Sequence, residues 1–365
     1  MKKAAVLGAT GSIGKSALDV LRRGKEDFEV VLLSAHSSRE ELLKLSKDFP
    51  QARLALSGEL LQAIAEAGAD ITVNGIAGAA GLEPSLAVLR SGSDLALANK
   101  ETIVMAGPLV FAEARKAGRR IIPVDSEHSA IFSLLEAHGR ENVKEILLTA
   151  SGGPFRTYTK EQLAQVKKED ALAHPTWNMG PKITVDSASM ANKGLEVIEA
   201  VRLFDVSPEK IKVLVHPQSI VHSMLRLRDG TVYAQLSRPD MRLPIMNALY
   251  SVIPAAKKGN FFDDLSFDDL TLTFEKPDVE KFPLLPLAYE AARRGGLYPA
   301  AYNAANEEAV GAFLTDRIAF LDIPSIVGYV LEKDWSTGDD TFEGIMEADR
   351  KGREIAKERI ARRNE

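Results

Sequence analysis

Short apolar runs alternate with amphipathic stretches through the first 145 residues. Strand-like runs are expected at residues 4–7, 28–33, 53–56, 71–73, 95–97 and 120–124. Between them, apolar residues recur at helical spacing, as at 16–21, 38–47 and 102–117. Alternation of strands and helices is typical of parallel βαβ units, so residues 1–145 are predicted to form an α/β domain with a doubly wound sheet.

The pattern changes after residue 145. An α+β domain is predicted for 146–255, because one helical stretch at 188–204 lies among strand-like runs at 146–148, 211–215, 223–227 and 232–236. Asp229-Gly230 suits a hairpin turn between the last two strands.

The remaining residues divide into an irregular stretch and a helical region. Residues 256–283 are rich in Pro, Asp, Phe and Lys, and we interpret them as a linker. A C-terminal helical bundle is predicted for 284–365 from helical patterns at 286–294, 300–315, 323–331 and 341–362.

The composition limits the number of domains, the kinds of metal site and the classes of partner. A chain of 365 residues with 45% hydrophobic and 27% charged residues suits two or three globular domains. It has no cysteine, which excludes disulfides and thiolate metal sites and leaves oxygen and imidazole as metal ligands. The net charge of -5 has interleaved signs, so we expect no nucleic-acid partner. No apolar run suits a membrane span or signal peptide, and a cytoplasmic location is expected.

A glycine-rich turn, GATGSIG at 8–14, lies between the first strand and the first helix. Glycines allow the backbone to approach a pyrophosphate, and free amides at a helix start favour an anion. This position favours dinucleotide binding, although a tight turn can need glycine for its geometry alone. In NAD-binding proteins a carboxylate at the end of the second strand holds the ribose, and none stands there in this sequence. Instead His36, Ser37 and Ser38 suit the additional phosphate of NADP, or a serine there caps the next helix.

Polar clusters follow two later strands: Asn99-Lys100-Glu101 and Asp125-Ser126-Glu127-His128. Ligands of doubly wound sheets bind at the carboxyl ends of strands, which favours a functional role for both clusters. Asp125 and Glu127 alone are equally consistent with a helix cap and a first-turn acid.

A polar stripe on the 188–204 helix adds a third carboxylate. Asn192, Glu196 and Glu199 fall on one face with Lys193 beside them, which taken alone indicates a solvated face. Glu196 combined with Asp125 and Glu127 would instead supply hard oxygen ligands suited to Mg²⁺ or Mn²⁺.

Two further segments are candidates for substrate binding. Ser151-Gly152-Gly153, Ser187, Asn192 and Lys193 offer donors for a phosphate, although serine-glycine loops are common turns. HPTWNMG at 174–180 is either a water-excluding lid or a loop fixed by a buried tryptophan.

Together these residues resemble the 1-deoxy-D-xylulose 5-phosphate reductoisomerase family. Its motifs recur in order along nearly the whole chain: GATGSIG at 8–14, ANKE at 98–101, PVDSEHSAIF at 123–132, ASGGPF at 150–155, HPTWNMG at 174–180, NKGLE at 192–196, HPQS at 216–219 and NAANE at 303–307. The resemblance implies an N-terminal Rossmann-like NADPH-binding domain, a central catalytic domain with a flap at 174–182, and a C-terminal helical domain. It also implies conversion of 1-deoxy-D-xylulose 5-phosphate to 2-C-methyl-D-erythritol 4-phosphate in isoprenoid precursor biosynthesis.

Residue roles follow from the resemblance position by position. Cofactor contacts are expected from Thr10, Gly11, Ser12, Ile13, Asn99, Glu101 and Gly180, besides His36, Ser37 and Ser38. One Mg²⁺ or Mn²⁺ ion per active site is expected on Asp125, Glu127 and Glu196. Substrate contacts are expected from Lys100, Ser126, Glu127, Ser151, His174, Trp177, Ser187, Asn192, Lys193 and Glu196. The catalytic set is Lys100, Asp125, Glu127, His174 and Glu196, with Trp177 and Met179 in the flap, and the assembly is expected to be a homodimer.

Two other functions fit parts of the sequence. A simple NADP-linked sugar-phosphate dehydrogenase would share the glycine turn but needs no set of three carboxylates. A dinucleotide-sensing regulator should carry a basic DNA-reading module, and the sequence shows none. The density of polar groups after strands favours an enzyme.

Overall fold

The computed structural model describes residues 1–177, 179–253 and 262–362. They form two compact units, each assembled from separated parts of the chain. As far as the chain is described, the first unit contains Met1–Thr102, Pro108–Phe132 and Asp240–Ser266, and the second contains Ile103–Gly107, Ser133–Pro239 and Phe267–Glu365. Within the described ranges, no helix has both the length and the apolar character that crossing a membrane requires.

The first unit is built on a six-stranded parallel sheet. Its strands are β1 (Lys2–Leu7), β2 (Phe28–Ala35), β3 (Arg53–Leu56), β4 (Ile71–Asn74), β5 (Asp94–Leu97) and β6 (Ile121–Pro123), in the order β3-β2-β1-β4-β5-β6. The connecting helices are α1 (Ser12–Arg23), α2 (Arg39–Leu45), α3 (Leu60–Ala67), α4 (Leu82–Arg90), α5 (Lys100–Ala117) and α6 (Ser126–His138). The strand order reverses between β1 and β4, the point at which doubly wound sheets bind ligands.

The second unit contains a four-stranded mixed sheet. Its strands are β7 (Val143–Ala150), β8 (Ile211–Val215), β9 (Val221–Leu227) and β10 (Val232–Leu236), in the order β10-β9-β7-β8. Four helices lie between β7 and β8: α7 (Lys160–Leu163), α8 (Lys168–Leu172), α9 (Pro181–Ala188) and α10 (Ala191–Phe204).

One helix distant in sequence completes the first unit. The helix α11 (Arg242–Tyr250) packs with α1, where Arg242 Nη1 pairs with Asp19 at 3.0 Å. The Tyr250 ring meets Phe28 edge-on at 5.2 Å. Burial, and then the hydrogen bond to Asp27, raise the pKa of Tyr250 to about 12.

Four C-terminal helices belong to the second unit: α12 (Leu284–Arg294), α13 (Tyr298–Leu314), α14 (Asp322–Leu331) and α15 (Phe342–Ala361). Buried residues of α13 contact α14 and α15, so the expected helical packing is present. The predicted fold class, an α/β sheet followed by an α+β region and C-terminal helices, is confirmed.

Some predicted boundaries differ from the structure. The helix expected at 188–204 begins three residues later, as α10 (Ala191–Phe204), because Met190 before it takes a left-handed conformation with φ 62°. In the described part of the 256–283 stretch, Glu275 forms a β-bridge with Val215 at the end of β8, and the linker assignment stays a prediction. Residues 256–261 of that prediction lie outside the described residues. The two units do not follow the predicted limits at 145 and 255, and the three domain ranges stay a prediction.

Candidate functional site

The glycine turn between β1 and α1 constrains Gly8 and Gly14 most strongly. Gly8 has φ +74°, and a Cβ on Gly14 would lie 2.3 Å from the Gly8 carbonyl oxygen. The end of β2 fixes the turn, because Ser34 Oγ accepts from the Gly8 amide at 3.3 Å. Gly11 is the N-cap of α1 and offers no side chain to the first helical amides. Among the residues described, no N-cap side chain bonds to these amides, an arrangement that suits an anionic ligand, and Ser12 at the start of the helix is exposed.

The carboxyl end of β2 presents exposed polar side chains. His36, Ser37 and Ser38 are all exposed, and His36 Nδ1 lies 2.8 Å from Ser57 Oγ. Ser38 is the N-cap of α2, yet its side chain makes no capping hydrogen bond. The helix-cap alternative is therefore wrong for Ser38, and its hydroxyl stands at the edge expected for a phosphate of the cofactor.

Asn99 holds the start of α5. It is 2% exposed, its Oδ1 accepts from the Thr102 amide at 2.9 Å, and its Nδ2 donates to the carbonyl oxygens of Ile76 (2.6 Å) and Gly78 (2.8 Å). A third contact joins Nδ2 to Glu101 Oε2 at 3.2 Å. The Asn99 side chain thus caps the helix and orders the preceding loop, which places Glu101 and Lys100 at the carboxyl end of β5.

Lys100 and Asp125 form a nearly buried ion pair in the first unit. Their side chains are 5% and 11% exposed, and Lys100 Nζ lies 2.7 Å from Asp125 Oδ2. Asp125 Oδ1 accepts from the Glu127 amide at 3.3 Å, so the predicted cap of α6 is also present. Ser126 Oγ donates to Glu127 Oε2. The cap prediction for Asp125 is therefore confirmed, whereas its role as a metal ligand stays a prediction, because the cation at its other oxygen is the Lys100 ammonium.

The polar stripe on α10 is buried. The side chains of Lys193 and Glu196 are 4% and 1% exposed, and Lys193 Nζ contacts Glu196 Oε2. Asn192 Nδ2 donates to Glu196 Oε1 at 2.5 Å, and Glu199 is 1% exposed. The solvated-face alternative is therefore wrong. Burial of charged side chains costs free energy because they lose their hydration, so a buried charged stripe favours a functional role.

The His174 ring has its hydrogen-bonding roles set by the backbone. Its Nδ1 accepts from the amides of Thr176 at 3.1 Å and Trp177 at 2.9 Å. A neutral ring therefore carries its proton on Nε2, which donates to Ser151 Oγ at 3.1 Å. Burial lowers the pKa of His174 from its ordinary value of 6.5, which favours this neutral form.

The Ser151 turn packs against the end of α9. Gly152 and Gly153 have φ +82° and +67°, and the Gly153 amide donates to Ser151 Oγ at 3.3 Å. A Cβ on Gly153 would lie 2.6 Å from the Ser187 carbonyl oxygen. The predicted phosphate residues Ser151 and Ser187 thus belong to touching segments, and α10 with Asn192 and Lys193 begins soon after Ser187.

The flap segment is described except for Asn178. Trp177 is half-buried, with its ring 6.4 Å from that of His222, so it is not the fully buried anchor of the alternative prediction. Gly180 is exposed and is the N-cap of α9.

Two polar residues of the quoted motifs received no site role in the sequence analysis. His128 is fully buried, and its Nδ1 lies 3.0 Å from Asp125 Oδ1. Its position three residues after Asp125 at a helix start was an available signal. Ser219 is buried with φ 51°, and its Oγ has no hydrogen-bond partner among the residues described. It ends the HPQS motif, but no spacing rule marks it.

Family models match most of the chain. The family model for 1-deoxy-D-xylulose 5-phosphate reductoisomerase matches residues 4–60 and 52–107. Two models for the C-terminal domain of the same enzymes match residues 121–204 and 236–355.

Individual relatives belong to the same family as the matching family models. A 1-deoxy-D-xylulose 5-phosphate reductoisomerase of Treponema denticola is 47% identical, with 98% of this chain and 97% of the relative covered. That of Treponema pallidum is also 47% identical, with 100% and 98% covered.

Solved structures are similar over the same length. The reductoisomerase from Zymomonas mobilis in complex with NADPH is 40% identical with a TM-score of 0.89, covering 98% of this chain and 99% of that one. A DOX-P reductoisomerase in complex with NADPH, fosmidomycin and magnesium is 37% identical with a TM-score of 0.92, covering 99% and 98%. The chain therefore belongs to the 1-deoxy-D-xylulose 5-phosphate reductoisomerase family.

Proposed function

We propose that this chain is a reductoisomerase that converts 1-deoxy-D-xylulose 5-phosphate to 2-C-methyl-D-erythritol 4-phosphate with NADPH and a divalent cation. The observation that carries the proposal is 47% identity to a named reductoisomerase over 98% of the chain. The buried polar groups of both units support it, because a dehydrogenase without rearrangement needs no such set of carboxylates.

The glycine turn fits the pyrophosphate of NADPH. The close approach of Gly14 to Gly8 and the uncapped start of α1 make a surface of backbone amides. His36, Ser37 and Ser38 are the proposed partners of the 2′-phosphate, and the exposure of all three supports this assignment. Thr10, Gly11, Ser12 and Ile13, with Asn99, Glu101 and Gly180, are the other proposed cofactor residues.

The donor chemistry fits a hard cation. Asp125, Glu127 and Glu196 are the proposed ligands, and all are carboxylates in a chain without cysteine. The near burial of Asp125 and Glu196 supports this role. When bound, the cation supplies Lewis acidity toward the substrate carbonyl and the nicotinamide supplies hydride.

The remaining chemistry is assigned to side chains of this chain. Ser151, Ser187, Asn192 and Lys193 bind the phosphate, which orients the remote reacting carbons. Lys100 and Ser126 contact the sugar oxygens, with Lys100 adding positive charge where negative oxygen develops. The Nε2 proton of His174 is donated to Ser151 in the structure and is available to a substrate oxygen. Trp177 and Met179 exclude water as parts of the flap.

Substitution of the proposed metal ligand tests this function. Glu196→Gln should abolish Mg²⁺-dependent NADPH oxidation with 1-deoxy-D-xylulose 5-phosphate while leaving NADPH affinity unchanged. Glu145→Gln is the matched control, because Glu145 is a buried carboxylate of the same unit that pairs with Arg226 and Lys212. If Glu196→Gln keeps both turnover and metal dependence, the ligand assignment is wrong.

Three finer properties are also proposed. Mn²⁺ should replace Mg²⁺, since both accept carboxylate oxygens, and a metal titration of activity tests this. A homodimer is proposed, supported by the position of β10 at the edge of its sheet among the described strands, where Val232 and Tyr233 are 42% and 39% exposed. Light scattering measures the mass that distinguishes a dimer from a monomer. Cytoplasmic location stays a prediction that cell fractionation tests.

A further inference from the structure

A buried carboxylate lies one residue before the proposed phosphate ligand Ser187. Asp186 is on α9 and is 1% exposed. Its Oδ2 lies 2.8 Å from Lys182 Nζ, one helical turn earlier, and its Oδ1 accepts from Asn306 Nδ2 of α13 at 2.8 Å. Both carboxylate oxygens are therefore engaged, one by a cation of the same helix and one by an amide 120 positions later in the chain.

The buried pair of Asp186 and Lys182 is expected to add little to the free energy of unfolding. Removing a carboxylate and an ammonium from water costs about as much as their attraction returns, so an apolar pair of similar shape is often as stable. Asn306 adds a second cost, because it is fully buried and its Oδ1 has no hydrogen-bond partner among the residues described. A buried pair of this kind is better suited to fixing one arrangement of its helices.

The helix that carries Asp186 depends on such contacts for its position. α9 has only eight residues, and a helix of that length has little stability on its own. Its far end is followed by Met190 in a left-handed conformation, where the chain turns into α10. The Ser187 carbonyl oxygen there lies against Gly153, which has no Cβ to prevent the approach. A shift of α9 would therefore move Ser187 relative to the Ser151 turn.

We propose that Asn306 and Lys182 are positioning residues that hold Asp186, and through it α9, so that the Ser187 hydroxyl meets the phosphate of the substrate together with Ser151. This inference rests on the proposed function and extends it to the C-terminal helices. α13 then contributes to catalysis without touching the substrate, through a buried hydrogen bond to the helix that carries a phosphate ligand.

The chain offers matched variants for the test. Asn306→Leu removes the side-chain amide that donates a hydrogen bond to Asp186. Asn303→Leu removes an equally buried amide from the same helix, one whose Nδ2 donates to Glu307 and whose Oδ1 is also without a partner within the described chain. Lys182→Met removes the cation, whereas Lys168→Met removes a lysine of the neighbouring helix α8 that pairs with Asp316. Lys182→Arg keeps the charge and should restore the wild-type behaviour.

Steady-state kinetics and hydrogen exchange are the two readouts. Asn306→Leu and Lys182→Met should each raise KM for 1-deoxy-D-xylulose 5-phosphate about tenfold, the effect of losing roughly one charge-assisted hydrogen bond. Their KM for NADPH should stay at the wild-type value, and amide exchange should accelerate in 182–188. Asn303→Leu and Lys168→Met should leave both the substrate KM and this exchange unchanged.

Different failures are distinguishable. If Asn306→Leu and Asn303→Leu raise the substrate KM equally, or accelerate exchange throughout the C-terminal helices alike, the positioning role is wrong and the amides serve packing alone. If Asn306→Leu accelerates exchange in 182–188 without changing KM, α9 is held but does not position the phosphate ligand, which also overturns the proposal. Absence of wild-type turnover would instead refute the proposed function, and exchange would still report whether Asn306 holds α9.

Discussion

Replacing Gly14 by alanine should distort the glycine turn and remove cofactor binding. The new Cβ would lie 2.3 Å from the Gly8 carbonyl oxygen, and 2.5 and 2.6 Å from the Cα and carbonyl carbon of Ala9. All three neighbours are backbone atoms, so no side-chain rotation relieves the overlap. Ordinary contact needs about 3.5 Å, and the turn must therefore open by about 1 Å. Overpacking of this kind costs about 1–3 kcal/mol or more.

Gly11→Ala is the matched control in the same turn. A Cβ there meets only the Gly8 carbonyl oxygen at 3.4 Å, and Gly11 has an ordinary φ of -76°. Thermal unfolding without ligand and fluorescence titration with NADPH measure the two effects separately. Gly14→Ala should lower Tm by several degrees and lose NADPH binding, whereas Gly11→Ala should keep the wild-type Tm and weaken binding only. A Gly14→Ala protein with wild-type Tm and affinity would refute the steric reasoning.

Three further substitutions test other parts of the structure. Lys100→Met removes the cation 2.7 Å from Asp125, and kcat should fall about 10²-fold or more at unchanged NADPH affinity; a full kcat would contradict the role. Because burial lowers the pKa of His174, its neutral ring should favour the native state above the unfolded pKa of about 6.5 and lose that contribution as pH falls. His174→Gln should flatten this part of the curve of unfolding free energy against pH. Arg202→Met removes the donor 3.0 Å from the Ile103 carbonyl oxygen, and urea unfolding should show a loss of about 1–3 kcal/mol.

The parallel sheet was predictable because buried strands are short apolar runs between helical patterns. The six runs expected in the first 145 residues are β1 to β6 within a few residues. Two features escaped that reasoning. The helix expected from residue 188 begins only at Ala191, because Met190 takes a left-handed conformation for which the local sequence carries no signal. α11 belongs to the first unit through contacts such as Arg242 with Asp19, 223 positions apart, which periodicity does not encode.

The candidate residues were selected from local features of the sequence. Lys100, Asp125 and Glu196 stand out because charges follow buried strands or interrupt a helix face. Burial was not predictable, since the stripe with Glu196 has the periodicity of a solvated face and is enclosed only by tertiary packing. Asn306 donates a hydrogen bond to Asp186, and the two residues are 120 positions apart, so no local sequence pattern predicts this contact.

The most direct measurement of the central claim is the structure of the product formed with NADPH deuterated at the transferred position. The enzyme, Mg²⁺ and 1-deoxy-D-xylulose 5-phosphate should give a branched methyl-tetritol phosphate with one deuterium on a primary carbinol carbon, and chelation of the metal should stop the reaction. A straight-chain deoxypentitol phosphate with deuterium on a secondary carbon would mean reduction without rearrangement and would contradict the account.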